Sequence, residues 1–134
     1  MKTNKYDFLI AEAQKLIQER YSLELHHIRV AAALITTEGK VYSALNTRTY
    51  QSQLATCAEI ISIGMALKDN PDVKIEAIVI VHGPDGYIVS PCGKCREYIA
   101  DFSDDALVCV PTENDDHEFL PVSDLLPNKY IKRV

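Results

Sequence analysis

The chain has 134 residues, of which 47% are hydrophobic and 25% charged, and its formal net charge is -5. That length predicts one compact domain over residues 1–134 whose core needs no disulfide, and the composition excludes a disordered chain. The acidic balance argues against nucleic acid as the main partner, and no apolar run approaches the roughly 20 residues that a membrane-spanning helix needs.

In chain order, residues 4–20 carry Phe8, Leu9, Ala13, Leu16 and Ile17 at helical spacing, with Glu12, Lys15, Gln18 and Glu19 between them. This pattern predicts an amphipathic helix. Residues 29–36 form a short run rich in Val, Ala, Leu and Ile, which predicts a buried strand. A turn at Glu38-Gly39-Lys40 and a second strand over residues 40–45 complete a hairpin. Residues 46–56 are polar and aperiodic, a loop that enters a helix over residues 57–68. That helix is apolar nearly all round, the pattern of a buried helix or one packed against another subunit, and Pro71 marks its end. Residues 75–81 predict a central β-branched strand, followed by a turn at Gly83-Pro84-Asp85-Gly86. Ser90-Pro91 opens a helix over residues 93–102, residues 106–110 form a strand, residues 119–122 a short returning strand, and residues 123–127 one helical turn. The order predicts an α/β protein, a three-layer α/β/α sandwich around a mixed five-stranded sheet.

No targeting segment is visible at the start, where charges at Glu12, Lys15 and Glu19 interrupt any apolar stretch. This predicts a soluble, cytoplasmic protein without membrane contact.

The residues that carry chemistry are Thr56-Cys57-Ala58-Glu59 and Pro91-Cys92-Gly93-Lys94-Cys95. Cys92 and Cys95 share a face at the start of one predicted helix, and Cys57 opens another. A helix N-terminus favours thiolate, the metal-binding form of cysteine. Three soft ligands suit Zn²⁺ and leave a fourth tetrahedral position for water. Glu59 reaches the same place if the site lies at the helix tip, and a carboxylate there exchanges protons with a zinc-polarised water. Each piece has a plainer reading taken alone: a redox or core Cys pair, a capping Glu, or a structural four-cysteine site that adds Cys109. Cys109 lies in an apolar strand and reads as a small core residue. The joint pattern is far more specific, and it resembles the signature of zinc deaminases in its three-cysteine form.

The chain resembles the zinc-dependent cytidine deaminase family, which includes blasticidin-S deaminases. The resemblance rests on the hairpin over residues 30–45, Asn46, Thr56 to Glu59, Ser90 to Arg96 and the late Leu125-Leu126-Pro127-x-x-Tyr130. It implies a cytidine deaminase-like fold, with zinc held by Cys57, Cys92 and Cys95 and protons carried by Glu59. The implied reaction is hydrolytic deamination of a 4-aminopyrimidine nucleoside such as cytidine or deoxycytidine. Glu59 would deliver a proton to the ring nitrogen and return one as ammonia leaves. The resemblance also implies substrate contacts at Asn46 and Ala58, a homotetramer, and a Tyr130 that reaches a neighbouring subunit's pocket. The plainer reading of Tyr130 is that it packs its own tail.

Several positions depart from the family pattern. Cytidine deaminases carry Asn-x-Glu after the hairpin; here the segment is Asn46-Thr47-Arg48. Arg48 cannot accept a hydroxyl's hydrogen bond, so it either pairs with an acidic group on a ligand or turns outward. The family's aromatic residue near the first strand is replaced in His26-His27-Ile28; His27 substitutes in part, or both are plain loop residues. Ile60 follows Cys-Ala-Glu where many members have Arg, leaving Lys94 to offset the thiolate charge. Ile60 and Lys94 resemble the blasticidin-S enzymes, whereas the spacing of 11 from Asn46 to Cys57 resembles the cytidine enzymes. A blasticidin-S-type deaminase is therefore the alternative function, with either pyrimidine salvage or antibiotic resistance as the role. A non-catalytic zinc module and base editing in nucleic acid stand behind both.

Overall fold

The computed structural model describes residues 4–24 and 27–133. Its main elements are α1 (Phe8–Arg20), β1 (Val30–Thr36), β2 (Val41–Leu45), α2 (Ala58–Asp69), β3 (Ile75–His82), β4 (Tyr87–Ile88), α3 (Gly93–Phe102), β5 (Leu107–Pro111) and β6 (His117–Pro121). Three single-turn 3₁₀ segments join them, Ser52–Leu54, Glu113–Asp115 and Val122–Leu125.

The sheet runs β2-β1-β3-β5-β6, with β4 paired to β3 off that path. It is mixed: β3 and β5 are parallel, and the other pairs are antiparallel. The expected five strands are present, and β4 adds a two-residue sixth. β4 is too short to leave a periodic signal of its own, and its residues read as the exit of a turn.

Both faces of the sheet are covered, which is why β1 and β3 are apolar without alternation. Ala31, Ala33, Ala77, Val79 and Val81 pack with Leu9, Ala13 and Ile17 of α1. Ala32, Leu34, Ile78 and Ile80 point the other way and pack with Ala58 and Ile63 of α2 and Ile99 of α3. The result is three layers: α1, the sheet, then α2 with α3. Cys109 lies fully buried on the α1 side, as its apolar strand suggested.

Two boundaries differ from the expected ones. α1 begins at Phe8, because Asn4 and Asp7 close a turn before it: the Asn4 N–H donates to Asp7 and the Tyr6 N–H to the Asn4 side chain, each at 2.9 Å. α2 is not buried all round: Gly64 and Met65 face outward, Met65 being 43% exposed. The sheet covers only one side of a helix whose composition is apolar on nearly every side.

Gly86 fixes how α1 meets the β3–β4 turn. Its φ is +68, and a Cβ there would lie 2.9 Å from the Gln14 Cγ. The backbone comes close enough for Gln14 Nε2 to donate to the Gly86 carbonyl at 3.0 Å.

Asp7 ties the start of α1 to β6 through His117 Nε2 at 2.8 Å. Burial opposes the Asp7 charge, but the Asn4 N–H and His117 outweigh it and hold the carboxyl below its ordinary value. A depressed carboxyl contributes stability above its unfolded pKa and loses it as the pH falls through the folded one. Asp7→Asn is therefore expected to lower stability at pH 7 by at most about 1 kcal/mol, since the pair is partly exposed. Thermal melts at pH 7 and pH 3 check this: the difference between parent and variant should shrink at the lower pH.

Candidate metal centre and active site

Cys57 is the N-cap residue of α2, and Cys92 is the N-cap residue of α3. Cys95 follows three residues later, one turn into α3 and fully buried. The helices start near each other because β2 and β3, on either side of β1, finish at the same end of the sheet, level with the start of β1. Neither capping cysteine makes a side-chain hydrogen bond to its helix, so both sulfurs stand uncommitted at positively polarised helix starts.

The three Sγ atoms lie within 4.8 Å of one another. Tetrahedral zinc with Zn–S near 2.3 Å needs sulfurs about 3.8 Å apart, so only small rotations separate this cluster from a ligand set. All four cysteines are free thiols. Burial raises the Cys57 and Cys95 thiols above their ordinary values. A metal entering the cluster must therefore displace protons.

Glu59 sits in the first turn of α2 and is only 4% exposed. Burial is the main reason its carboxyl is pushed above its ordinary value. It lines a cavity of about 440 Å³ together with Cys57, Cys92, Asn46 and Arg48. That volume suits a small organic ligand. A cysteine cluster bordering a cavity, with a buried carboxyl beside it, can both hold a metal and exchange a proton with a small molecule.

A family model of the cytidine and deoxycytidylate deaminase zinc-binding region matches residues 3–111. The chain belongs to this deaminase family. Blasticidin-S deaminase of Bacillus cereus is 33% identical over 131 residues, covering 92% of this chain and 91% of that protein. Cytidine deaminase of Sporosarcina psychrophila is 31% identical over 125 residues, covering 92% and 90%. Among solved structures, cytidine deaminase of Burkholderia pseudomallei superposes with a TM-score of 0.75 at 27% identity, covering 95% of this chain and 100% of that one. The cytidine deaminase of Bacillus anthracis gives 0.79 at 21% identity, covering 95% and 90%. The likeness to the second structure is one of fold alone. As a member of the family, the deaminase is a zinc-dependent hydrolase.

Within the deaminase, the remaining expected site residues divide. Ala58 is fully buried and lines the cavity beside Glu59. Asn46 also lines it, but most of its side chain is already engaged. Its Oδ1 accepts from the Arg29 and Val30 N–H groups at 2.9 Å each, and its Nδ2 donates to the His27 carbonyl at 3.1 Å. Both carbonyl lone pairs are then used, and one N–H remains for a ligand. Asn46→Ala is expected to destabilise the deaminase by about 1–3 kcal/mol, because two strand-entry N–H groups lose their acceptor. Asn46→Asp keeps the acceptor but sets an oxygen against the His27 carbonyl, so it should recover only part of that loss; denaturant melts of the two variants check the difference.

Lys94 is exposed and makes no hydrogen bond or ion pair among the described residues, and it does not line the cavity. The basic residue that does engage this loop is Arg96. Its Nε donates to the Pro91 carbonyl at 2.9 Å, and one terminal nitrogen donates to the Leu125 carbonyl at 3.1 Å. Arg96 thereby anchors the backbone next to Cys92. Tyr130 is 71% exposed and does not line its own chain's cavity. His27 offers its carbonyl to Asn46 and does not line the cavity; His26 lies outside the described residues.

Sequence reading missed Arg29 and Val89 as cavity residues. Neither carries a local signal. Arg29 arrives because the Asn46 side chain clamps the start of β1, and Val89 because β4 folds back on β3.

Proposed function

We propose that this deaminase acts on a free 4-aminopyrimidine nucleoside, with cytidine and deoxycytidine as the leading substrates, releasing ammonia. The observation that carries the reading is the convergence of Cys57, Cys92 and Cys95 at two helix N-termini beside the buried Glu59, at the end of a cavity of nucleoside size. In this reading Cys57, Cys92 and Cys95 hold the zinc. Zinc bound there would supply a water acidified toward a pKa of about 7, and so a nucleophile at neutral pH.

The protein's own groups do the rest. Glu59, already poised above the usual carboxylate range, accepts a proton, passes it to the ring nitrogen, and returns a second to the departing amine. Ala58 and the remaining Asn46 N–H contact the substrate from the cavity wall. The low polarity of Val30, Ile80 and Val89 around the ring limits bulk water.

A second reading, a blasticidin-S-type deaminase, is favoured by the relative from Bacillus cereus. Parallel assays with cytidine, deoxycytidine and blasticidin S, following ammonia release and loss of cytosine absorbance, decide between them. No turnover of any of the three by zinc-loaded protein overturns both. A purely structural zinc module fits less well, because a closed site has no use for an adjoining cavity with a carboxyl in it.

The same reading assigns the chain to pyrimidine salvage in the cytoplasm as a homotetramer. Four free thiols suit a reducing compartment. No described helix is long and apolar enough to cross a membrane. The outward Met65 on α2 and the exposed Tyr130 and Ile131 supply apolar surface for subunit contact. Lys94, exposed beside the cysteines, offsets thiolate charge at longer range. The -5 charge gives nucleic acid little to bind. Sedimentation equilibrium is expected to return a tetramer mass.

A further inference from the structure

The clustered sulfurs have a second arrangement open to them. Cys92 caps α3, and Cys95 follows on its first turn, fully buried. On a regular helix two Cα atoms three residues apart stand about 5 Å from each other, given the rise per residue and the cylinder radius. A disulfide spans about 4.4–6.8 Å between Cα atoms, so this pair closes by side-chain rotation alone. Its sulfurs already lie within 4.8 Å of each other. Cys57 stands on a separate helix: Ala58 and Ile63 fix α2 in the core, and Ile99 fixes α3. A bond from Cys57 would tie together two helices that the core already holds. Cys109 packs on the other face of the sheet. Two cysteines at this spacing on a helix start are also the arrangement of dithiols that cycle between thiol and disulfide. Cys92 lines the cavity, and Cys95 does not. The cavity must admit a nucleoside in whatever assembly the chain forms, so it admits a peroxide, which is far smaller.

Resting on the deaminase reading, we propose that Cys92 and Cys95 are also a peroxide-oxidisable dithiol, whose closure to a disulfide removes two of the three metal ligands and switches the deaminase off reversibly. The Cys92 sulfur attacks one oxygen of hydrogen peroxide. The O–O bond breaks, hydroxide leaves and takes up a proton as water, and Cys92 becomes a sulfenic acid. The Cys95 sulfur then attacks the Cys92 sulfur; the S–O bond breaks and a second water leaves. Two thiols and one peroxide thus give one disulfide and two waters. Each sulfur gives up one electron, and the peroxide takes both. Cys57 is left as a single sulfur, too few to hold zinc. A dithiol reductant reopens the pair by exchange.

The test adds hydrogen peroxide to the zinc-loaded protein and follows zinc release with a chromophoric chelator, thiol count after denaturation, and turnover. Zinc and turnover are expected to fall in the same proportion while thiols drop from four to two. A dithiol reductant with added zinc should restore all three. Trypsin identifies the pair, because Lys94 lies between the two cysteines and only a disulfide keeps the cleaved halves joined. Cys57→Ser should form the same pair, its thiols falling from three to one; if that variant does not fold, the chelated parent gives the same test. A disulfide that includes Cys57 overturns the proposal. So does irreversible oxidation of Cys92 with no disulfide. So does a loaded protein that keeps its zinc, thiols and turnover at a peroxide excess that closes the pair in the chelated protein. Failure to turn over any aminopyrimidine sinks the deaminase reading by itself, since thiol count and peptide map need no activity.

Discussion

Glu59→Gln is expected to keep its zinc and to lose about 10²–10⁴-fold in turnover, the range that a positioned acid–base group supplies. Gln fills the same volume and leaves the three sulfurs in place, so the fold and the metal should survive. What it cannot do is accept a proton and give it back. The loss should fall on kcat with little change in substrate binding, because the carboxyl matters most as charge moves in the transition state. Metal analysis alongside steady-state kinetics checks this. A variant with full zinc and parental rate would remove Glu59 from the chemistry. Burial makes the argument sharper: Glu59 is 4% exposed, yet it lines the cavity, so its carboxyl meets the ligand and little else.

Cys95→Ala is expected to have the largest effect on the metal. Cys95 is the one fully buried member of the cluster, seated one turn inside α3 between the two capping cysteines. Removing it leaves two sulfurs at the cavity end, and zinc should fall from one per chain to well below that after dialysis, with activity lost in proportion. The parental protein should also melt higher with zinc than after chelation, because a ligand that binds only the folded state stabilises it by mass action. Cys109→Ala is the matched control. Cys109 is equally buried, but it packs on the α1 side of the sheet, away from the cluster, and burial with the nearby Asp7 charge raises its thiol to about 12. That variant should keep its zinc and lose only about 1 kcal/mol to the small cavity it leaves. Equal zinc loss in both variants would show that the cluster is not the metal centre.

Arg96 has a humbler part in the same site. Its two donations to carbonyls join the residue before Cys92 to the Val122–Leu125 turn, so the loop carrying Cys92 is braced from a distant part of the chain. No spacing rule points to such a contact, since its partners lie 5 and 29 residues away.

How far the sequence could be read follows from the range of the forces involved. Helical periodicity and β-branched runs are local, so α1, α2, α3 and the strands β1, β2, β3, β5 and β6 stood out, with ends displaced by a few residues where Asn4 and Asp7 bonded their own backbone. The clustered cysteines and Glu59 carry a local signal too, because each capping or first-turn position has a short-range reason to sit at a helix start. The amino-acid order therefore determined, unaided, the layered α/β architecture and the set of groups that chemistry at this site would need.

The folded chain alone decided which of those groups meet and what else joins them. It left Met65 outward on a helix that composition made apolar nearly all round, because one sheet face covers one helix face. It consumed the Asn46 carbonyl in holding β1, left Lys94 in solvent, and brought Arg29 to the cavity beside Arg48. Such outcomes depend on strand pairing between segments tens of residues apart. Hydrogen-bond capacity and desolvation act only once those segments are adjacent, so no window along the chain records them.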